Sequence, residues 1–385
     1  MQFIDLAAQQ ARIRDRIDAR IRAVLDHGQY IMGPEVGELE RELAGFAGVR
    51  FALGCASGTD ALLMALMARE IGPGDAVFTS PFTFFATAEV IALLGATPIF
   101  VDIDPVTFNL SPSGLKRAVE ALRTGNPDLH PLPGNFAELR PRGVIGVDIF
   151  GLPAEYEAIQ GVADRYDLFA IEDAAQSFGA EYRGRRAGSL AEMGCTSFFP
   201  AKPLGCYGDG GAVFTDDEAL ADRLRSIRVH GQGIDKYDND RIGINGRLDA
   251  IQAAILLVKM EIFPEEVELR RAAAERYTRG ISGIPGLVPP VVPDDMTSVF
   301  AQYSVLARDG AHRAACQAAL GAEGIPSVVY YPKPLHLQRA FAGLGYAEGD
   351  FPVSEDCSRR IFSLPMHPYL REEDQERVAG VLGRV

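Results

Sequence analysis

Leu168-Phe-Ala-Ile-Glu-Asp173-Ala-Ala-Gln176-Ser-Phe-Gly179 reads as a short apolar run ending on an acid, the pattern of a strand buried on both faces. Comparable runs lie on either side of it. Phe51 to Cys55, Ala76 to Thr79, Pro98 to Val101, Val144 to Asp148, Gly194 to Phe198 and Ala212 to Phe214 are strand-like, and helical stretches separate most of them. Such alternation predicts an α/β fold with a mostly parallel seven-stranded sheet covered by helices on both faces. In open parallel sheets, ligands sit beyond the carboxyl ends of the strands. Asp173 is therefore placed to meet one. From this stretch alone it could hold a pyridine nitrogen, a metal or a ribose hydroxyl, and Glu172 could share the work.

The next strand leads into Ser197-Phe-Phe-Pro-Ala-Lys202-Pro-Leu-Gly-Cys-Tyr-Gly-Asp-Gly-Gly211. A lysine flanked by Phe198, Phe199, Pro200 and Pro203 is more cheaply sheltered than solvated, and burial lowers an ammonium pKa. A near-neutral lysine is a nucleophile, used most often in a Schiff base with a carbonyl or with pyridoxal phosphate. A lysine with its stem on the aromatics and its head in water is the plain alternative. A lysine following an acid at a strand end suits pyridoxal chemistry best, because the acid keeps the ring nitrogen protonated and the ring an electron sink. Upstream, Ser57-Gly58-Thr59-Asp60 falls where the first strand turns into a helix. Its free N–H groups would suit a phosphate, although Ser and Thr also serve there as ordinary caps.

With these residues in view, the sequence resembles the DegT/DnrJ/StrS group of pyridoxal-phosphate sugar aminotransferases, within the fold type I enzymes. Five blocks in family order carry the resemblance: Gly54 to Leu62, Pro81 to Glu89, Ile171 to Gly179, the lysine loop, and Asn245-Gly-Arg-Leu-Asp-Ala-Ile-Gln252. The resemblance implies that Lys202 anchors pyridoxal 5'-phosphate and moves the proton, while Asp173 holds the ring nitrogen. It further implies that Phe84 stacks on the ring, Gln176 meets the phenolic oxygen, and Gly58, Thr59, Ser197 and Asn245 hold the phosphate. Arg247, Tyr330 and Tyr331 would contact the nucleotide sugar. Asn245 and Arg247 would come from the neighbouring subunit, which implies a homodimer with a shared site. The implied reaction transfers nitrogen from L-glutamate to a nucleotide-linked keto sugar, closest in pattern to carbon 3 of a UDP-linked 2-acetamido-3-keto hexose or hexuronate in bacterial polysaccharide synthesis. A dTDP-3-keto-6-deoxy or NDP-4-keto sugar is the alternative substrate. A non-catalytic regulator with this fold is the alternative of another kind.

Two features depart from the family. Arg123 to Asn135 forms a longer Pro-, Gly- and Asn-rich link, read as a surface loop or flap with His130 exposed to solvent. Tyr330 stands where the 3-keto uronate enzymes have histidine. Rival activities fit less well. A dehydratase of the family replaces the lysine by histidine, and no GxGxxG follows the first strand as a nicotinamide enzyme would require.

The remaining chain is read as support. Over residues 9–27, Ile13, Ile17, Ile21, Val24 and Leu25 form one helical stripe, and Pro34 opens a second helix with Val36, Leu39, Leu43 and Phe46. Residues 1–49 are thus N-terminal helices packed on a cofactor-binding domain, 50–284. A Pro/Gly-punctuated linker then leads to a small C-terminal α/β domain, 285–385, with strands expected at 300–306 and 326–330, and His367 is read as structural. Among 385 residues the formal charge is −14, which disfavours nucleic acid and anionic membranes as partners. Five cysteines without CxxC spacing, no basic-then-apolar leader and no bilayer-length apolar run lead to the expectation of a reducing, cytoplasmic setting; no metal is expected.

Overall fold

The computed structural model describes residues 1–235 and 237–385; Lys236, in the polar loop that precedes Asn245, lies outside the described residues. Two helices come first, α1 (Leu6–His27) and α2 (Pro34–Ala47). Asp5 caps α1 by accepting from the Ala8 amide, and Gly28 closes it in the left-handed region. Ile13, Ile17 and Val24 are buried as their spacing predicts, whereas Leu25 is exposed: one residue past Val24, it has rotated off the buried stripe.

The central sheet contains β1 (Phe51–Cys55), β2 (Asp75–Thr79), β3 (Thr97–Phe100), β4 (Arg140–Val147), β5 (Phe169–Asp173), β8 (Met193–Ser197) and β9 (Gly211–Thr215), and a small hairpin, β6 (Glu181–Tyr182) and β7 (Arg185–Arg186), precedes β8. Its seven strands lie in the order β1-β9-β8-β5-β4-β2-β3. All run parallel except β9, which is antiparallel to both its neighbours. Helices α3 (Gly58–Ala68), α4 (Ala86–Leu93) and α7 (Glu218–Ile227) cover one face, where Val77, Ile145, Ile171 and Val213 point. The alternate residues of the same strands, such as Phe78, Val144 and Ala170, meet α5 (Pro112–Thr124) and α6 (Tyr156–Tyr166) on the other. Further along that face, α2 and α8 (Ala250–Met260) pack on β1 and β9 through Ala52, Ala212 and Phe214. Consequently Thr79, Val147, Asp173, Ser197 and the start of β9 all arrive at one edge.

Helix α9 (Phe263–Ile281) carries the chain to a three-stranded antiparallel sheet, β10 (Leu287–Val288), β12 (Tyr303–Ala307) and β13 (Ile361–Leu364), with β12 central. A short strand β11 (Met296–Thr297) returns to pair with β6. Helices α10 (Gly310–Ala322), α11 (Pro352–Arg360) and α12 (Glu372–Leu382) complete the chain. The strand expected at 326–330 is instead one bridge, Val328 to Ser363, because the prolines that follow Tyr331 stop a ladder from extending. The proline-rich linker is likewise more ordered than its composition predicts, since Leu287 and Val288 join the sheet.

The 123–135 link also differs from expectation. His130 is buried, with Nε2 against the Phe100 carbonyl at 2.8 Å and its ring beside Phe351. The Gly134 amide donates to the Leu344 carbonyl. Remote backbone acceptors pin the loop down, so it is a packed connection rather than a flap. Among the described residues, no helix is long and apolar enough to cross a membrane.

Candidate active site

Strand β5 delivers Asp173 to the carboxyl edge of the sheet on the α4 side. The carboxyl is buried and accepts from the Thr87 hydroxyl at 2.9 Å and the Ala175 amide at 3.2 Å. Burial pushes its pKa up, against the opposing pull of Thr87 and of the Lys202 charge. Glu172 takes no part. The pleat turns it to the opposite face, where it accepts from the Gly188 and Leu190 amides at 2.7 and 2.8 Å.

The loop after β8 folds back on itself through three amide bonds, Phe198 to the Gly210 carbonyl, Cys206 to the Phe198 carbonyl and Lys202 to the Phe199 carbonyl. Phe198 is buried beneath it, but Phe199 is exposed; only one of the two rings shelters the loop, contrary to expectation. Lys202 is half-buried, and burial pulls its ammonium below the ordinary lysine range while Asp173 partly restores it. Among the described residues, none accepts a hydrogen bond from this amine. An amine desolvated yet unengaged is ready for an electrophile.

The start of α3 lies against the same loop. Ser57 caps the helix by accepting from the Asp60 amide at 3.0 Å, so the plain capping role is real, and the Gly58 and Thr59 amides sit ahead of it at the positive end of the helix. Gly58 must be glycine, since a Cβ there would fall 2.6 Å from the Ser197 Cβ. The Ser197 hydroxyl accepts from the Phe199 amide at 3.2 Å, leaving its proton free to donate beside the helix start. Together these groups set amide and hydroxyl donors side by side at the positive end of α3.

Of three clustered phenylalanines, Phe82 is buried and Phe85 is half-buried, while Phe84 stays 59% exposed. Gln176 is buried, and its Oε1 accepts from the Phe150 amide at 2.9 Å, which orients the Nε2 donor toward the Tyr331 hydroxyl at 3.2 Å. Tyr330 contacts Tyr331 edge-on and approaches Phe3, one ring further from Gln176. The structure thus gathers Lys202, Asp173, Gly58, Thr59, Ser197, Gln176 and Tyr331 at one edge. Asn245 and Arg247 reach only the flank of β1, through the Cys55–Arg247 bridge and the Ala56 amide to the Gly246 carbonyl. Asn245 is exposed, and the Arg247 Nε is buried without a partner among the described residues.

Sequence reasoning missed Thr87 and Phe150. A threonine one turn after Phe84 carries no signal of its own, and an amide from a connecting segment carries none at all. His367 is buried and its pKa is pushed down to about 4 by desolvation, in keeping with a structural role.

Comparison with known proteins bears on the whole chain. The DegT/DnrJ/EryC1/StrS aminotransferase family matches residues 11–383. The chain is 48% identical over 370 residues, 96% of each chain, to a UDP-2-acetamido-2-deoxy-3-oxo-D-glucuronate aminotransferase of Pseudomonas aeruginosa. It is 42% identical to a pleiotropic regulatory protein of Geobacillus stearothermophilus, over 98% of this chain and 96% of that one. A DegT DnrJ EryC1 StrS aminotransferase structure from Brucella abortus superposes with a TM-score of 0.93 at 50% identity, covering 99% of this chain and 98% of that one.

Proposed function

Since the chain belongs to the DegT/DnrJ/EryC1/StrS aminotransferase family, we propose that it aminates carbon 3 of a UDP-linked 2-acetamido-3-keto hexuronate or hexose, with L-glutamate as donor, in polysaccharide synthesis. The protein is an aminotransferase that uses pyridoxal phosphate. The observation that carries the site assignment is the unengaged, desolvated Lys202 amine set opposite the buried Asp173 carboxyl. The residues fit the cofactor: the cradle of Gly58, Thr59 and Ser197 suits its phosphate, the exposed Phe84 ring offers a stacking face, and Gln176 aims a fixed donor. Bound there, pyridoxal phosphate supplies the electron sink for carbanion chemistry at the carbon bearing the nitrogen.

In this reading Lys202 would hold the cofactor through Nζ, and the same amine would carry the proton removed from the donor's α-carbon. Asp173, held by Thr87 and Ala175, would keep a proton on the ring nitrogen. Gln176, held by Phe150, would fix the ring's orientation, and the Tyr331 hydroxyl beside it would meet the sugar. The chain divides for this work into helices 1–49, a cofactor-holding domain 50–284 and a smaller lobe 285–385. The 3-keto uronate assignment rests on the similarity to the Pseudomonas enzyme. Assaying UDP- and dTDP-linked 3-keto and 4-keto sugars with glutamate tests it: the UDP-3-keto uronate or its hexose should give the highest kcat/KM, and preference for a 4-keto or dTDP sugar would overturn it. The relative named as a pleiotropic regulatory protein gives the half-reaction a second use, as the discriminator of catalysis from regulation alone. A regulator would show no half-reaction with any amino donor.

The reading also makes the protein a homodimer with shared sites. In support, Ile234 and Ile242 project almost fully into solvent from the loop that leads to Asn245, and the Arg247 Nε lacks a partner among the described residues. Asn245→Asp would set a carboxylate against the cofactor phosphate and should be nearly inactive alone, as should Lys202→Ala. Random exchange of the two variants makes about half the dimers mixed, each with one intact site, so about a quarter of wild-type activity should return. No return after verified exchange would rule out sharing.

A further inference from the structure

Helix α8 reads in sequence as apolar, Ala-Ile-Gln252-Ala-Ala-Ile-Leu-Leu-Val-Lys259-Met, yet it turns two polar side chains inward. Gln252 and Lys259 lie about two turns apart on one face, and both grip the loop that carries Lys202. Gln252 accepts from the Tyr207 amide at 2.9 Å. Lys259 is only 1% exposed; its Nζ donates to the Gly205 carbonyl at 2.5 Å and sits 4.3 Å from the centre of the Tyr207 ring. No carboxylate pairs with it among the described residues. Burying an ammonium on one carbonyl and one ring face is costly, and a methionine of similar volume would fill the space without that cost. The carbonyl it holds occupies a tight place. A Cβ at Gly205 would fall 2.6 Å from both the Phe199 and Pro200 carbonyl oxygens, so residue 205 is folded directly onto the turn that presents Lys202.

We propose that Lys259 is a positioning residue for the reaction: by fixing the Gly205 carbonyl from beneath, its ammonium sets where the Lys202 amine stands relative to Asp173 and adds a positive charge under the loop. The inference rests on the assignment of Lys202 as the cofactor anchor. Burial pulls Lys259 down to about 8, opposed by Glu266, so it is charged at neutral pH. The test uses the reconstituted holoenzyme of wild type, Lys259→Met and Lys259→Gln. Each is titrated through the visible band of the bound cofactor from acid to alkaline pH, and its half-reaction with L-glutamate is timed. Removing a nearby cation favours protonation of the Lys202 nitrogen. The band's midpoint in Lys259→Met should therefore move to higher pH by about half a unit or more, and the half-reaction should slow about tenfold. Lys259→Gln, which also removes the charge but keeps a shorter, neutral donor, should show a similarly displaced midpoint and a half-reaction rate between the two. A purely structural role would lower thermal stability and leave the midpoint in place. A folded Lys259→Met with unchanged midpoint and rate overturns the proposal. If that variant is insoluble, the midpoint of Lys259→Gln decides alone, a displaced one supporting the proposal and an unmoved one overturning it. Borohydride must also fix the cofactor to Lys202 in the wild type. Failure there overturns the anchor assignment itself, whereas fixation at Lys202 with no effect of Lys259→Met overturns only the role of Lys259.

Discussion

Lys202→Ala is expected to lose transamination by about a thousandfold or more, because one side chain is both the covalent anchor and the proton carrier, and general acid–base catalysis alone contributes factors of about 10²–10⁴. The same variant should still bind pyridoxal phosphate. The helix start at Gly58 and Thr59, the Ser197 hydroxyl, the Phe84 ring and Asp173 are all untouched by the change. Folding should not suffer either. The amine takes part in no hydrogen bond among the described residues, and burial lowers its folded pKa. For a lysine lowered in this way, the stability it contributes is present at high pH and lost as pH falls through its folded value. In the absence of cofactor, the alanine variant should thus gain in melting temperature relative to wild type as pH falls from the ordinary lysine range to the lowered value, and keep that gain below it. Steady-state kinetics, equilibrium cofactor binding and thermal melts separate these expectations. Retention of more than about a tenth of wild-type turnover would remove Lys202 from the reaction.

Much of this site is legible in the chain, for physical reasons that can be named. Strands buried on both faces must be apolar runs, so an acid at the end of one, as at Asp173, stands out. The lysine loop is legible because prolines, phenylalanines and glycines around a single cation leave few ordinary explanations. What stays hidden depends on contacts distant in sequence. His130 sits in a segment whose composition reads as a solvated loop, and the Phe100 carbonyl, some thirty positions away, makes its burial tolerable. Thr87 looks like any helical threonine until the fold brings it 2.9 Å from Asp173. Lys259 is one charge in an otherwise apolar helix, and only the fold shows the turn at Gly205 that holds it inside. The direction of β9 is equally unreadable, since an apolar run such as Gly211–Thr215 says nothing of whether its neighbours run parallel or antiparallel.

Asp173→Asn should separate stability from catalysis. The change is nearly isosteric, and the amide can keep both local partners, its oxygen accepting from Ala175 and its nitrogen donating to the Thr87 oxygen. It cannot hold a proton on the ring nitrogen, because a neutral amide offers no charge to balance a pyridinium. Without that proton the ring is a poor electron sink, and the half-reaction should slow by about two to three orders of magnitude, the scale of removing one preorganised charge from a dry site. The cofactor-free protein should respond in the opposite sense. Burial raises the folded pKa of Asp173 above its unfolded value, so its contribution to stability is fully present in acid and is lost as pH rises through the raised value. Above the raised value the wild-type apoprotein therefore bears a buried carboxylate whose desolvation outweighs the help of Thr87, Ala175 and Lys202, a cost that the asparagine variant lacks. The melting temperature of apo Asp173→Asn should exceed that of wild type at pH 8, and the difference should shrink toward pH 4. Added cofactor should then stabilise wild type more than the variant, because only the wild type gains a cation opposite its carboxylate. A variant that melts lower at pH 8 than at pH 4 relative to wild type, or that transaminates at an undiminished rate, would show that Asp173 is a structural acid and that the ring nitrogen finds its partner elsewhere.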